Sequence, residues 1–407
     1  MKLDVDFIRK QFPAFEQDSL QGQAFFENAG GSYTCGPVIN RLSRFYHQRK
    51  VQPYAAYQAS TLAGEEMDEA RQRLAEILGV DTDEVSFGPS TTQNTYVLAQ
   101  AFGQYLTAGD AIVVTNQDHE ANSGPWRRLS EQGIDVREWC ISAETGHLKL
   151  QDLSNLLDDK VKLVCFPHCS NIVGEINDVH AICKVIRAAG AYSCVDGVSY
   201  APHGIPNVAA LGADIYLFSA YKTFGPHQGI MTISRELGMT LPNQAHYFNA
   251  TELYKRFTPA GPDHAQIAAT AGLADYIDTV YSHHTSATSN AHGRGIFVHD
   301  LFRAHETELL QPLLDYLSAK TSVRLLGPSN AAKKAATVAV ALTAKPITVA
   351  TQLAQQGIMA GAGNFYAVRC LEAQGIDPSH GVLRLSFVHY TNQAEVDRLI
   401  NALKNVL

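Results

Sequence analysis

The sequence predicts an α/β fold, a mainly parallel sheet followed by a smaller α+β unit. Three observations carry this. Between about residues 85 and 235, short apolar runs alternate with helical patterns, the signature of strands joined by crossover helices. Several of these runs are apolar throughout, as in strands covered on both faces. After about residue 320 the order changes to a few strands and helices of a different kind.

Taken in order, "TTQNTYVLAQAFGQYL" after Ser90 reads as a helix, and "AIVVTN" (111–116) and "VKLVCFP" (161–167) as strands. "DVHAICKVIRAAG" after Asn177 reads as a helix, and "AYSCVD" (191–196) and "DIYLFSA" (214–220) as strands. "FVHDLFRAHETELLQPLLDYLSAK" is a long amphipathic helix that could join the two parts. Beyond it, "SVRLLG", "AATVAVALTA" and "HGVLRLSFVHY" read as strands, and "ITVATQLAQQG" as a helix. "NQAEVDRLINALKNVL" is a helix opened by Asn392 with a glutamate three residues on.

Bulk properties narrow the function. The 407 residues suggest about two domains, with 45% hydrophobic and 18% charged content. A net charge of −8 gives no reason to expect nucleic acid as a partner. Arg127-Arg128 and Lys333-Lys334 read as solvated faces. No signal peptide or bilayer-spanning run is evident. Seven cysteines at irregular spacings fit reduced thiols and a cytoplasmic location. "CFPHC" (165–169) reads as strand-end packing, and no metal site is expected, because no second pair follows.

The candidate chemistry sits at strand ends. In parallel α/β sheets ligands bind at the carboxyl ends of the strands. Asp196 ends one buried strand, and Lys222 lies just past the next, in "DIYLFSAYKTFGPHQG". A lone lysine there is most often solvated, and an Asp–Lys pair is often an ion pair. A cofactor that needs both is pyridoxal phosphate: the lysine forms a Schiff base with the aldehyde, and the carboxylate keeps the pyridine nitrogen protonated. "GPSTTQ" (88–93) puts Ser90, Thr91 and Thr92 at a helix start, a phosphate site or a plain N-cap. His119 in "NQDHEAN" can stack on a flat ring and relay protons. Asn171 in "CSNIVGE" can donate to a ring hydroxyl.

The order "STT … DHEAN … SNIVGE … VDG … FSAYKTFGP … LRLSFVHY" resembles the class V aminotransferase superfamily over about residues 25–407. Within it, the resemblance is to the cysteine desulfurase and selenocysteine lyase branch, with isopenicillin N epimerase as a relative. The resemblance implies a fold-type-I, pyridoxal-phosphate-dependent homodimer acting on an amino acid. It implies a seven-stranded sheet in a large domain, 16–284, and a small domain, 285–407 with 1–15. By position, Lys222, Asp196 and His119 resemble the catalytic set. Thr91, Thr92, Asn171, Ser199, Ser219 and Tyr221 match the cofactor's surroundings. Arg384 resembles the arginine that clamps a substrate carboxylate, and Asn28 matches a substrate-binding position.

Departures from the pattern bear on the reaction. Tyr221 stands where desulfurases usually carry a histidine, and Ser199 where many have Gln. A phosphate-binding threonine of a partner subunit would fall near Gly261. The nucleophilic cysteine position falls on or near Tyr366 in "GAGNFYAVRC", and a nearby family arginine falls near Gly361. Cys370, four residues on, reads as a small core residue of a helix. The reactions left open are a desulfurase-like lyase without the loop cysteine, an epimerase, an aminotransferase, and a conventional desulfurase using a displaced Cys370. A non-catalytic protein that keeps the cofactor fold is the rival from another class. A nucleotide-binding protein is disfavoured, since the glycine-rich phosphate loop is missing.

Overall fold

The computed structural model describes residues 1–407 and contains twelve strands. The first, β1 (Ala24–Phe26), is separated from the rest by two long helices, Gly36–Gln48 and Gln58–Leu78. Then come β2 (Val85–Gly88), β3 (Ala111–Thr115), β4 (Asp135–Trp139), β5 (Val161–Pro167), β6 (Tyr192–Asp196), β7 (Ile215–Ser219) and β8 (Gly229–Ile233). The last four are β9 (Val323–Leu325), β10 (Thr337–Leu342), β11 (Ile358–Gly363) and β12 (Val382–Ser386).

Strands β2 to β8 form one seven-stranded sheet in the order β2-β8-β7-β6-β5-β3-β4. Pairings from β7 through β4 are parallel, and β8 runs antiparallel to both neighbours. Every residue of β3, β7 and β8 is buried, which explains their uninterrupted apolar pattern. Because β5, β6 and β7 are parallel neighbours, their carboxyl ends deliver Asn171, Asp196 and Lys222 to one edge of the sheet.

The second sheet has the order β1-β11-β12-β10-β9. It departs from the division expected at residue 16. β1 pairs in parallel with β11 and packs in the core of the small sheet, whereas Ile8 and Phe12 are buried in the large core. Three-residue β1 has too short a pattern to announce its partner. The long helix Ala291–Ser318 bridges both cores: Val298 and Phe302 pack with the large one, Leu310 and Leu317 with the small one. No helix is long and apolar enough to cross a membrane.

Lys334, expected on a solvated face, is fully buried. Its Nζ donates to the Val173 and Leu326 carbonyls, tying the loop that carries Asn171 to the small sheet. Burial lowers the amine's pKa to about 7. The unfolded chain holds that proton up to about pH 10.4, so between these values it binds more protons and folding gains stability as pH rises. The unfolding free energy of the parent, relative to Lys334→Met, therefore rises by about 2 kcal/mol between pH 7 and 9. Parallel denaturation at several pH values checks this, and a difference independent of pH contradicts it.

Candidate active site

Two cavities meet at Lys222. The inner one, about 60 Å³, is lined by Thr91, Asp196, Ser199 and Ser219, among others. The outer one, about 780 Å³, opens between Arg384, Glu27, Tyr366 and Arg128. Thr92, His119, Asn171, Tyr221 and Lys222 line both.

Lys222 ends a single turn, Ala220–Lys222, that follows β7 directly. The turn is clipped by the segment after β1: Ser32 N–H and Oγ both donate to the Tyr221 carbonyl, and Ser32 Oγ accepts from the Phe224 N–H. Burial, with Arg384 nearby, lowers the Lys222 amine to about 8, against a counteracting pull from Asp196 and Glu27. The neutral, nucleophilic amine is then far more available near neutral pH than in an ordinary lysine.

Asp196 is buried at the end of β6, and its carboxylate accepts from the Val198 N–H at 2.8 Å. Burial raises its pKa to about 6, opposed by that bond and by Lys222. Such a carboxylate is poised for a cationic partner in the inner cavity. The buried Asp118 behind it is held well above the usual carboxylate range by burial and by Asp196, and it accepts from Thr115 and Asn122.

His119 follows β3, and its Nδ1 accepts from the Ala121 N–H at 3.0 Å, which assigns the ring proton to Nε2. Burial and the Lys222 and Arg384 charges push its pKa down to about 3. The ring is thus a neutral platform, suited to stacking. Any proton it relays leaves from Nε2.

The helix start is built as a cradle. Ser90 Oγ caps the helix Thr91–Tyr105 by accepting from the Gln93 N–H, and Thr91 Oγ1 meets Ser219 Oγ at 2.8 Å. A Cβ at Gly229 would lie 2.4 Å from the Ser90 carbonyl carbon, so only glycine lets β8 approach this turn so closely. Unpaired N–H groups and hydroxyls at such a terminus favour an anion.

Two placements differ from expectation, and a third, that of Cys370, agrees with it. The Asn171 Nδ2 donates to the Phe365 carbonyl at 2.9 Å, and its buried Oδ1 has no partner. It therefore offers an acceptor to a ring hydroxyl in place of the expected donor. Asn28 does not face the cavity: it is buried and accepts from the Tyr390 hydroxyl, while its neighbour Glu27 lines the pocket. Cys370 does lie in a helix, Val368–Ala373, fully buried, with its thiol raised to about 12 by burial. We expect Cys370→Ala to retain turnover on L-cysteine and other amino acids, with no protein-bound persulfide in intact-mass spectra. Loss of activity together with a persulfide on Cys370 would reverse this.

The small sheet closes the site. Phe365 and Tyr366 both hold left-handed backbone, φ 51 and 57, a costly conformation outside glycine. Bonds from Asn171 Nδ2 to the Phe365 carbonyl and from the Glu120 N–H to the Tyr366 carbonyl fix this turn over the cavity. Phe365 stacks 3.7 Å from the Arg384 guanidinium carbon. Tyr366, 72% exposed, sits with its ring 5.4 Å from that of His119, and Arg369 pairs with Glu120 at the rim. Arg384, on β12, is buried with its Nη2 2.7 Å from Glu27 Oε1. Glu27 and Arg369 were not singled out from sequence, and Arg128, read as part of a solvated face, lines the outer cavity. They carry no motif, and only the pairing of β1 with β11 brings Glu27 here.

A half-buried lysine, a buried carboxylate and a neutral imidazole gathered at the ends of parallel strands, beside a helix-start anion cradle, define an enzyme-type cofactor pocket. The aminotransferase class-V family model matches residues 24–293 and 297–399, and the chain belongs to that family. It is 32% identical to the aminotransferase-like protein FGM3 of Gibberella zeae, over 99% of this chain and 98% of that protein. It is 30% identical to a probable cysteine desulfurase of Mycolicibacterium paratuberculosis, over 99% of this chain and 58% of that one. Among solved structures, the apo cysteine desulfurase of Thermococcus onnurineus superposes with a TM-score of 0.86 at 25% identity, covering 100% of this chain and 98% of that one.

Proposed function

We propose that the protein is a pyridoxal-phosphate-dependent enzyme acting on an amino acid. The observation that carries this is the convergence of Lys222, Asp196 and His119 on a cavity whose outer wall holds a buried arginine. The residues present fit the cofactor. The Lys222 amine would hold its aldehyde, Asp196 its ring nitrogen, His119 its face, and the Ser90–Thr92 helix start with Ser219 its phosphate. The unpartnered Asn171 Oδ1 would accept from its ring hydroxyl. Tyr221, which stacks on His227 at 4.8 Å, and Ser199 line its surroundings. When bound, the cofactor supplies an electron sink for charge released at the substrate Cα.

The chain's own groups then do the rest. With the cofactor bound, the Lys222 amine would be the base placed to take or return a proton at the substrate Cα. Asp196, buried in the inner cavity, would hold a proton on the cofactor's ring nitrogen, and in that water-poor setting its charge would act strongly. Arg384 would bind the substrate carboxylate and so orient the substrate's Cα in the site. The buried, protonated Cys370 favours a reaction that forms no protein-bound persulfide: a lyase without a loop thiol, an epimerase or an aminotransferase.

We take residues 16–284, apart from β1, as the cofactor-binding body, and 285–407 with β1 as the body that supplies Arg384. We take the working form to be a homodimer in the cytoplasm. The exposed Tyr247 and Phe248 suit burial by a second copy, and all seven cysteines are free thiols.

Incubation with a panel of amino acids and identification of the products tests the reading, and no product from any of them would contradict it. Arg384→Ala should raise KM for carboxylate substrates by about 2–4 kcal/mol, roughly 30- to 1,000-fold, with the cofactor spectrum unchanged. Equal reaction of the parent with amines that lack a carboxylate would contradict the clamp.

A further inference from the structure

The Arg384 fork is already partly occupied. Glu27, one residue past β1, places Oε1 2.7 Å from Arg384 Nη2, and Arg384 is 3% exposed. The guanidinium Nε has no partner, and Nη1 reaches only the Asn171 carbonyl at 3.4 Å. Both edges by which a guanidinium grips a carboxylate with two parallel bonds, Nη1 with Nη2 and Nε with Nη2, include Nη2. Glu27 therefore stands on the one nitrogen that either grip needs.

The glutamate's position is built into the fold. Gly361 is the register partner of Arg384 across the β11–β12 pairing. A Cβ at Gly361 would lie 2.3 Å from Glu27 Oε2, and one at Gly30 would lie 2.9 Å from Oε1. Two glycines thus leave the slot that the carboxylate fills. Its Oε2 is buried without a hydrogen-bond partner, so Glu27 is not fully satisfied where it rests. Glu27 also lines the outer cavity, which gives its side chain room to swing aside.

We propose that Glu27 is a specificity-determining residue, an internal competitor that a substrate carboxylate must displace from Arg384. It raises the concentration of amino acid needed to fill the site. It also disfavours ligands whose carboxylate cannot reach Nη2 and Nε together. Between visits it neutralises Arg384, so that the guanidinium is not left buried and unpaired beside Lys222. This rests on the reading of Arg384 as the carboxylate clamp.

The test is a binding titration of the cofactor-loaded enzyme, followed by the cofactor's absorbance, with L-alanine and with ethylamine, which has no carboxylate. Glu27→Gln keeps the shape and removes the charge, and Glu27→Asp withdraws the carboxylate by one methylene. Both variants should lower the half-saturating L-alanine concentration, by about tenfold for Glu27→Gln, the scale of one lost competing ion pair. Neither should tighten ethylamine, and the Glu27→Gln effect should vanish in an Arg384→Ala background. Unchanged or weaker L-alanine binding in both variants would overturn the proposal and make Glu27 a positioning residue for Arg384. Equal tightening of ethylamine would overturn it as well, by showing a general charge effect. If Arg384→Ala leaves L-alanine binding unchanged, the clamp itself fails and this proposal with it. Weakened L-alanine binding in Arg384→Ala without tightening in the Glu27 variants rejects the proposal alone.

Discussion

Lys222→Ala removes covalent attachment of the cofactor and lowers turnover on the best amino acid by about 10³–10⁴-fold or more. Two functions are lost together, the amine that carries the aldehyde and the base that faces Cα. The pocket around the missing amine remains, because the turn at 220–222 is held by main-chain bonds from Ser32 and by the Ala220 N–H to the Gln228 carbonyl. The variant should therefore still bind pyridoxal phosphate reversibly, and dialysis should strip it of colour where the parent stays yellow. A high concentration of a small primary amine should restore part of the rate. Near-parental turnover of Lys222→Ala would remove the residue from the mechanism.

Asp196→Asn is the second large effect. A neutral amide cannot hold a proton on the ring nitrogen by charge, and the pocket offers no other anion at that place with a clear path to it. Asp118 lies behind, already bonded to Thr115 and Asn122 and held protonated by burial. Loss of a buried charge-assisted bond of this kind costs about 3–5 kcal/mol in the transition state, or roughly two to four orders of magnitude in kcat. Cofactor binding should persist, since the phosphate cradle and Lys222 are untouched. Stopped-flow absorbance separates the two outcomes, retained binding with slow chemistry against lost binding. Near-normal kcat in Asp196→Asn would make the aspartate structural.

Much of this site was legible in the sequence because a parallel sheet converts order along the chain into position in space. Asp196 and Lys222 end neighbouring strands, so their meeting follows from topology alone. His119 and Asn171 follow β3 and β5 by the same rule. What stayed hidden depends on long-range pairing. Glu27 and Arg384 lie 357 residues apart and meet because three residues of β1 add to the edge of the small sheet. Phe365 and Tyr366 adopt a conformation that ordinarily calls for glycine, so no turn signal marks them. Lys334 reads as a surface residue beside Lys333, yet two carbonyls of packed loops accept its protons in the interior. Asn28 and Glu27 are adjacent just past β1, and only the turn that begins at Asn28 and its bond to the distant Tyr390 hydroxyl decide that Glu27, not Asn28, faces the cavity.

The most direct measurement of the central claim is chemical trapping of the cofactor on its lysine. Borohydride reduction of the yellow protein, followed by proteolysis and mass spectrometry, should place a single phosphopyridoxyl label on Lys222. A label on another lysine, or no label on a protein that turns over its substrate, would contradict the account.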